Sequence, residues 1–150
     1  MNFLAEIHPL VVHFPIAFLF LFVGLEIFNL FLDKDYLKNI SHILLLISVI
    51  ALIAAVFSGN QSMQNLAGEI SSNEILIPIE SHEEFATITL WYFFALLIFR
   101  TYLFIKKKFE SKLQYLFVIF AVVGLYLLFS TARLGGVLVF DFGIGTKLFN

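Results

Sequence analysis

The sequence contains no cysteine and few charged residues. Without cysteine there is no disulfide, no cysteine-ligated iron–sulfur cluster and no C-x-x-C-H attachment site for a c-type haem. Only 13% of the 150 residues are charged, against roughly a quarter in a soluble domain. No basic or aromatic pattern suited to RNA is present, so nucleic acid is not an expected partner. The chain is instead 61% hydrophobic, with twenty phenylalanines, which predicts an integral membrane protein.

Four apolar stretches are long enough to cross a hydrocarbon core of about 30 Å, which takes roughly 17–25 helical residues. Backbone groups in lipid must be hydrogen-bonded within their own segment, so each stretch is predicted to be a helix. Short connections join the first pair and the last pair, whereas residues 58–81 form a long connection. The prediction is an all-α membrane protein, one up-down-up-down bundle of four transmembrane helices over residues 1–150, with spans at about 9–32, 37–57, 82–105 and 113–132.

Positive charge marks one end of this bundle. The two short loops hold most of the cations, and only Arg133 and Lys147 fall at the other end. Because Lys and Arg are enriched in cytoplasmic loops, both termini are expected on the periplasmic side of a bacterial inner (cytoplasmic) membrane. The N-terminus lacks a basic n-region, so its apolar run is expected to be a retained helix. The cations at the loop end are Lys34, Lys38, Arg100, Lys106, Lys107, Lys108 and Lys112.

Three of the four histidines fall at one level, near the periplasmic interface. His8 and His13 lie at the start of the first span, and His82 opens the third, where Ser81 and Glu84 have the spacing of a capping box. Ionisable groups at membrane depth indicate a functional site. Neutral imidazoles on facing helices suit the two axial positions of a haem iron, so we expect one haem b with His13 and His82 as ligands.

The choice between His8 and His13 depends on where the first helix begins. The two are five residues apart, about 140° around a helix, so a continuous helix cannot aim both at one small site. Pro9 suits a first helical position, whereas Pro15 removes an internal hydrogen bond. A helix from Pro9 with a kink near Pro15 favours His13; a broken segment before Pro15 substitutes His8. Small residues that permit close packing, or a porphyrin alongside, recur at Ala17, Gly24, Ser48, Ala51, Ala55, Gly59, Gly124, Thr131 and Gly135.

A second polar group is expected near the cytoplasmic end. Glu26 in the first span and Arg100 in the third lie at similar depth, and either would be costly alone in lipid, so we predict an ion pair. Its simplest role is to lock the bundle; a proton relay through Glu26 and His42 is the alternative. His42 has no histidine companion at that end, which argues against a second haem.

The C-terminal segment is too polar and glycine-rich for a fifth span. Gly135 and Gly136 are expected to end the fourth helix and let the residues after them fold back over the periplasmic mouth as a glycine-rich tail. Arg133 would lie at the level of the histidines, where it could neutralise a haem propionate or pair with Asp141.

The stretches "IHPLVVHFPIAF" at residues 7–18 and "GGVLVFDFGIG" at 135–145 resemble the two ends of the bacterial membrane family called domain of unknown function 2231. The resemblance covers nearly the whole chain, since Gly59, His82 and Arg100 also occur in order. Some family members are fused to Rieske or c-type cytochrome domains, which implies an electron-transfer setting and a b-type haem. Members often carry a histidine in or before the C-terminal glycine motif, where this chain has Arg133, Phe140 and Asp141.

Three functions follow from these observations. The first is a cytochrome b-like electron-transfer subunit, working with periplasmic or membrane cytochromes or other membrane subunits. The second is a non-haem metal or quinone site built from His8, His13, His82 and Glu83 or Glu84. The third is a structural accessory subunit without a cofactor. No phosphate loop, zinc-protease motif or nucleophilic triad is present, so a non-catalytic role is favoured.

Overall fold

The computed structural model describes residues 3–66, 73–106 and 111–144, and these are helical apart from short turns. Four helical stretches are long and apolar enough to cross a membrane, as predicted: Ile7–Leu32, Asp35–Gln64, Glu74–Ile105 and Leu113–Phe140. No strand occurs in these three ranges. The helices are α1 (Phe3–Val11), α2 (His13–Leu32), α3 (Asp35–Leu66), α4 (Asn73–Ile105) and α5 (Ser111–Phe140).

The first span has a turn at Val12, between α1 and α2, where the Val12 N–H still donates to the His8 carbonyl over 3.1 Å. Neither expected start was right, because α1 begins before Pro9 and α2 begins before Pro15. A proline cannot bond to the carbonyl four residues back, and its ring crowds that carbonyl. For Pro15 that carbonyl belongs to Val11, the last residue of α1. Pro15 itself is the third residue of α2, where a backbone N–H has no helical partner in any case.

The other helices extend beyond their predicted limits at the end opposite the lysines. α3 runs to Leu66 rather than residue 57, α4 begins at Asn73 rather than 82, and α5 continues to Phe140 rather than 132. At 1.5 Å per residue, helices of 30–33 residues are about 45–50 Å long, which exceeds the hydrocarbon core. Hydropathy therefore located the lipid-embedded part of each helix and missed its continuation into the interface.

The expected capping box and glycine break were both wrong. Ser81 lies well inside α4, and its hydroxyl donates to the carbonyl of Ile77 over 2.9 Å. Gly135 and Gly136 are ordinary helical residues of α5. The chain leaves the helix only at a turn in which Gly143 has a φ of 67° and the Ile144 N–H donates to the Leu138 carbonyl over 2.9 Å. The end of the predicted tail, residues 145–150, lies outside the described ranges.

The four long helices form a closed ring in which α2 packs on α3, α3 on α4, α4 on α5, and α5 on α2. This is the neighbour relation of an up-down-up-down bundle. Among the described elements, α1 approaches only α2 and α3. The ring encloses an apolar core, and large apolar side chains also cover its outside, as lipid contact allows. Core residues include Leu19, Phe22, Leu45, Val49, Phe93, Phe117, Ala121 and Leu128; exposed ones include Phe28, Phe31, Trp91, Tyr126 and Phe129.

Candidate functional site

His8, on α1, is anchored to α3 through one ring nitrogen. Its Nδ1 lies 2.9 Å from the Ser58 Oγ, and that hydroxyl donates to the Ala55 carbonyl over 3.0 Å. The Ser58 hydroxyl can accept from an Nδ1–H or donate to a bare Nδ1, so the contact fixes the position of the ring and leaves its tautomer open. With the hydroxyl proton on the Ala55 carbonyl, a neutral imidazole carries its lone pair on Nε2.

His82, on α4, is anchored to α5 in the same manner. Its Nδ1 lies 3.1 Å from the backbone carbonyl oxygen of Thr131. A carbonyl can only accept, so Nδ1 carries the proton and Nε2 again carries the lone pair. The anchoring segment is itself braced, because the Thr131 hydroxyl lies 2.9 Å from that of Thr89 on α4. Both histidines are therefore held to a neighbouring helix through Nδ1, and Nε2 is the other ring nitrogen in each.

A glycine lies against each imidazole. A Cβ built on Gly59 would lie 3.0 Å from the Cε1 of His8, and one built on Gly135 would lie 3.0 Å from the Cε1 of His82. Both distances are tighter than ordinary van der Waals contact, so each ring occupies space that a side chain would fill. The small residues expected to leave room for packing or for a porphyrin serve here to seat the imidazoles.

His8 and His82 lie at one level and are close enough to interact electrostatically. Ser58 is eight residues from the end of α3, and His82 is nine residues from the start of α4. At 1.5 Å per residue both lie about 12–14 Å from their helix ends. Because α1 does not approach α4 or α5 closely along the described backbone, the two imidazoles belong to helices that are not packed against each other.

The remaining predicted site residues are not among the groups that anchor or seat the two imidazoles. His13 is exposed at the start of α2, so the structure brings His8 rather than His13 to the His82 side of the bundle. Arg133 is exposed on α5. Gly136 faces open space, since a Cβ built there meets nothing within 4 Å. His42 stacks on Phe104 at the lysine end, with ring centroids 4.8 Å apart.

The anchors Ser58 and Thr131 were missed by the sequence reasoning. Ser58 was treated as the start of a loop and Thr131 as one member of a small-residue stripe. A usable signal existed for one of them: Thr131 precedes by four residues the glycine against which His82 packs. Residues four apart share a helix face, so this pair can contact one side chain from a neighbouring helix.

The structure also brings Glu26 and Arg100 together at the lysine end. Arg100 Nη2 lies 2.8 Å from Glu26 Oε1, and both side chains are at most 2% exposed. The Ser41 hydroxyl donates to the same carboxylate oxygen. The guanidinium lies over the rings of Phe22 and Phe117, 5.7 and 5.2 Å from their centroids. The buried Arg100 of α4 thus has partners on α2, α3 and α5, as expected of an ion pair that holds the helices in one arrangement.

The carboxylates considered with the histidines face a different space. Glu83 and Glu84 line a cleft between α3 and α4 that none of the histidines lines. In the described ranges, no three His, Cys, Asp or Glu side chains are grouped in a way that could hold a metal ion.

Comparison with known proteins supports the family expected from the motifs. Neither a curated protein nor a solved structure matches the chain. The family model described as "Predicted membrane protein (DUF2231)" matches residues 5–148. This match includes both imidazoles, their anchors and their glycines. The chain belongs to the DUF2231 family of predicted membrane proteins.

Proposed function

We propose that this protein is a cytochrome b-like electron-transfer subunit that binds one haem b through His8 and His82. The observation that carries the proposal is the shared anchoring of the two imidazoles. Each is hydrogen-bonded through Nδ1 to a neighbouring helix, which leaves Nε2 as the nitrogen that would ligate the iron. A metal-ligating histidine usually donates its other N–H to an oxygen in this way, which fixes the ring and raises its basicity.

The two imidazoles come from separate helices and would hold the iron of a haem b between them. A Cβ built on Gly136, next to the glycine that seats His82, meets nothing within 4 Å. We assign Gly135 to seating the ligand, Gly136 to clearance for the macrocycle, and Arg133 to a propionate.

The protein residues would bind and orient the group, which supplies reversible one-electron transfer. Ser58 and the Thr131 carbonyl would hold the two rings in the tautomer that leaves Nε2 free. Gly59 and Gly135 would set how deeply the rings sit against α3 and α5. Since His8 comes from the short helix α1, docking of α1 on α3 would complete the site.

The same proposal places the site on the periplasmic side of a bacterial cytoplasmic membrane. Lys34, Lys38 and Lys106 lie at the opposite end of the helices, and Lys/Arg enrichment marks the cytoplasmic side. Both termini would then be periplasmic. Periplasmic or membrane cytochromes, or other subunits of a membrane complex, would be the partners in electron transfer.

The test is a reduced-minus-oxidised absorption spectrum of the detergent-purified protein, with the four histidines replaced one at a time. We expect a Soret shift and an α-band that are lost in His8→Ala and His82→Ala. The matched controls His13→Ala and His42→Ala should keep both features, because these rings lie outside the pair. A colourless, iron-free preparation, or colour that survives loss of both His8 and His82, would refute the assignment.

A structural accessory subunit is the second candidate, favoured by one observation. Each imidazole is already packed on a glycine and bonded to a neighbouring helix, which also describes polar side chains that join transmembrane helices. In that case His8→Ala and His82→Ala would lower stability, and the wild-type protein would bind no haem when haemin is supplied.

A further inference from the structure

The lysine end of the bundle contains a layer of buried polar side chains. Each of the four long helices contributes at least one of them, and each side chain belongs to a residue that is at most 2% exposed. Burying a polar group is costly unless the group is hydrogen-bonded, so each donor and acceptor of the layer needs a partner. The layer consists of Glu26 and Asn29 of α2, Ser41 of α3, Arg100 of α4 and Gln114 of α5.

Two polar atoms of this layer make no hydrogen bond within the part of the chain that the structure describes. One is the carboxylate oxygen Oε2 of Glu26, whose Oε1 already contacts Arg100. The other is the amide nitrogen Nε2 of Gln114. Both atoms are shielded from the surface of the protein. Because a carboxylate oxygen accepts and an amide N–H donates, the layer contains one unsatisfied acceptor and one unsatisfied donor group.

The two atoms belong to the same part of the core. Gln114 precedes Phe117 by three residues on α5, and residues at that spacing are neighbours on one helix face. The Phe117 ring centroid lies 5.2 Å from the Arg100 Cζ, and Arg100 Nη2 lies 2.8 Å from the Glu26 carboxylate. Phe117 is fully buried, so the buried Gln114 side chain on the same face is directed into the bundle.

The surrounding charges restrict what can satisfy both atoms. Arg100 would repel a cation at Oε2, and Glu26 would repel an anion at the amide. The occupant must therefore be neutral, and it must donate to a carboxylate while it accepts from an amide. It must also be small, because Phe22 and Phe117, which flank the guanidinium, are fully buried. Water meets all three conditions, and buried water bonds to polar groups that the protein leaves unpaired.

We propose that the lysine end of the bundle holds an internal water site, in which bound water bridges the second carboxylate oxygen of Glu26 and the amide of Gln114. Gln114 lies three residues from the start of α5, and Glu26 lies six residues from the end of α2. At 1.5 Å per residue the site is about 5–9 Å inside the helix ends. The water makes the ion pair of Glu26 and Arg100 a hydrated one, which reduces the cost of burying its charges.

The water site is separate from the histidine pair. Arg100 is eighteen residues from His82 on α4, which is about 27 Å along the helix. Neither Glu26 nor Gln114 contributes to the anchoring or seating of an imidazole. The site therefore requires no haem, and His82→Ala should leave it unchanged.

The experiment is X-ray radiolytic footprinting of the detergent-solubilised full chain, read by mass spectrometry. Radiolysis of water yields hydroxyl radicals, which oxidise side chains beside the water molecule that produced them. Phe22, Phe93 and Phe117 are all fully buried, so they form a matched set within one protein. We expect oxidation of Phe22 and Phe117, whose rings lie against the guanidinium of the layer. Phe93, in the apolar core, should remain unoxidised.

The wild-type protein alone can overturn the proposal. Oxidation of all three phenylalanines to the same extent, or of none, would show that no water is bound at the layer. Leu103 tests whether the helix ends merely open to solvent, because it is buried two residues from the end of α4 and lies nearer its helix end than Gln114. Oxidation of Leu103 at the rate of Phe117, after correction for intrinsic reactivity, would also overturn the proposal.

Two variants on α5 test the role of the amide. Gln114→Leu removes the amide with little change in volume and should abolish oxidation of Phe117. The matched control Tyr115→Leu changes an exposed neighbour and should leave that oxidation at the wild-type level. Persistence of Phe117 oxidation in folded Gln114→Leu would overturn the bridge. His82→Ala should show the wild-type pattern whether or not haem binds, so the water site and the haem assignment fail separately.

Discussion

Alanine substitutions at two adjacent glycines of α5 test how tightly His82 is seated. A Cβ on Gly135 would lie 3.0 Å from the His82 Cε1, whereas a Cβ on Gly136 meets nothing within 4 Å. To reach ordinary contact the ring must retreat by a few tenths of an ångström. Its Nδ1 is held at 3.1 Å from the Thr131 carbonyl, so the retreat lengthens that hydrogen bond.

The expected energies follow from two opposing contributions. Replacing a helical glycine by alanine gains up to about 1 kcal/mol at either position. Overpacking a seated side chain costs about 1–3 kcal/mol, and only Gly135→Ala incurs it. Gly136→Ala should therefore be neutral or stabilising, and Gly135→Ala should be less stable than Gly136→Ala by about 1–3 kcal/mol.

The assay is equilibrium unfolding in mixed micelles, with SDS as the denaturant and helical circular dichroism as the signal. A double-mutant cycle identifies the cause, since in a His82→Ala background the difference between the two glycine variants should disappear. The reasoning is refuted if the two single variants unfold at the same SDS fraction. It is also refuted if the difference persists without the imidazole.

Three further predictions concern the ion pair of Glu26 and Arg100, the packing of the core and the orientation in the membrane. Glu26→Gln leaves the buried Arg100 without its carboxylate and should lower the free energy of unfolding by about 3–5 kcal/mol in SDS titrations. The double variant Glu26→Leu with Arg100→Met should recover most of that loss. A double variant no more stable than Glu26→Gln would contradict this prediction. Gly124→Ala places a Cβ 2.5 Å from a buried phenylalanine ring and should cost about 1–3 kcal/mol in the same assay; wild-type stability would show that the ring moves freely. The chain has no native cysteine, so a single introduced cysteine reports its own side of the membrane. Asp141→Cys should react with an impermeant maleimide on intact cells, and Lys34→Cys should react only after lysis. The opposite labelling pattern would contradict the proposed orientation.

Hydropathy was sufficient to predict the four spanning helices, because a lipid solvent leaves few options. Each backbone group must be bonded within a helix, and each apolar run is counted directly from the sequence. The ends were harder to predict. Residues such as Asn60 and Glu80 are too polar for the hydrocarbon core but fully compatible with helix at the interface, so α3 and α4 continue where hydropathy falls.

The glycines of α5 were misread for a related reason. Gly135 and Gly136 suggest a helix end in water, where a bare backbone can be hydrated. In a membrane helix they stay hydrogen-bonded within the helix, and the missing side chain at Gly135 becomes space for the His82 ring. Only the three-dimensional packing distinguishes these two uses of glycine.

The choice of histidine depended on one proline. A continuous helix from Pro9 predicts that His13 faces the site, whereas a broken segment before Pro15 predicts His8. The loss of the Pro15 hydrogen bond to Val11 was foreseeable, but the position of the resulting break, at Val12, was not. In the structure His8 packs on α3 and His13 is exposed.

The most direct test of the central assignment is low-temperature electron paramagnetic resonance of the oxidised, haem-reconstituted protein. Two axial imidazoles through His8 and His82 predict a low-spin ferric signal in the wild type and in His13→Ala. Loss of either imidazole in His8→Ala or His82→Ala should abolish the low-spin signal. A high-spin wild type, or a low-spin signal that persists without either imidazole, would contradict the proposed two-histidine site.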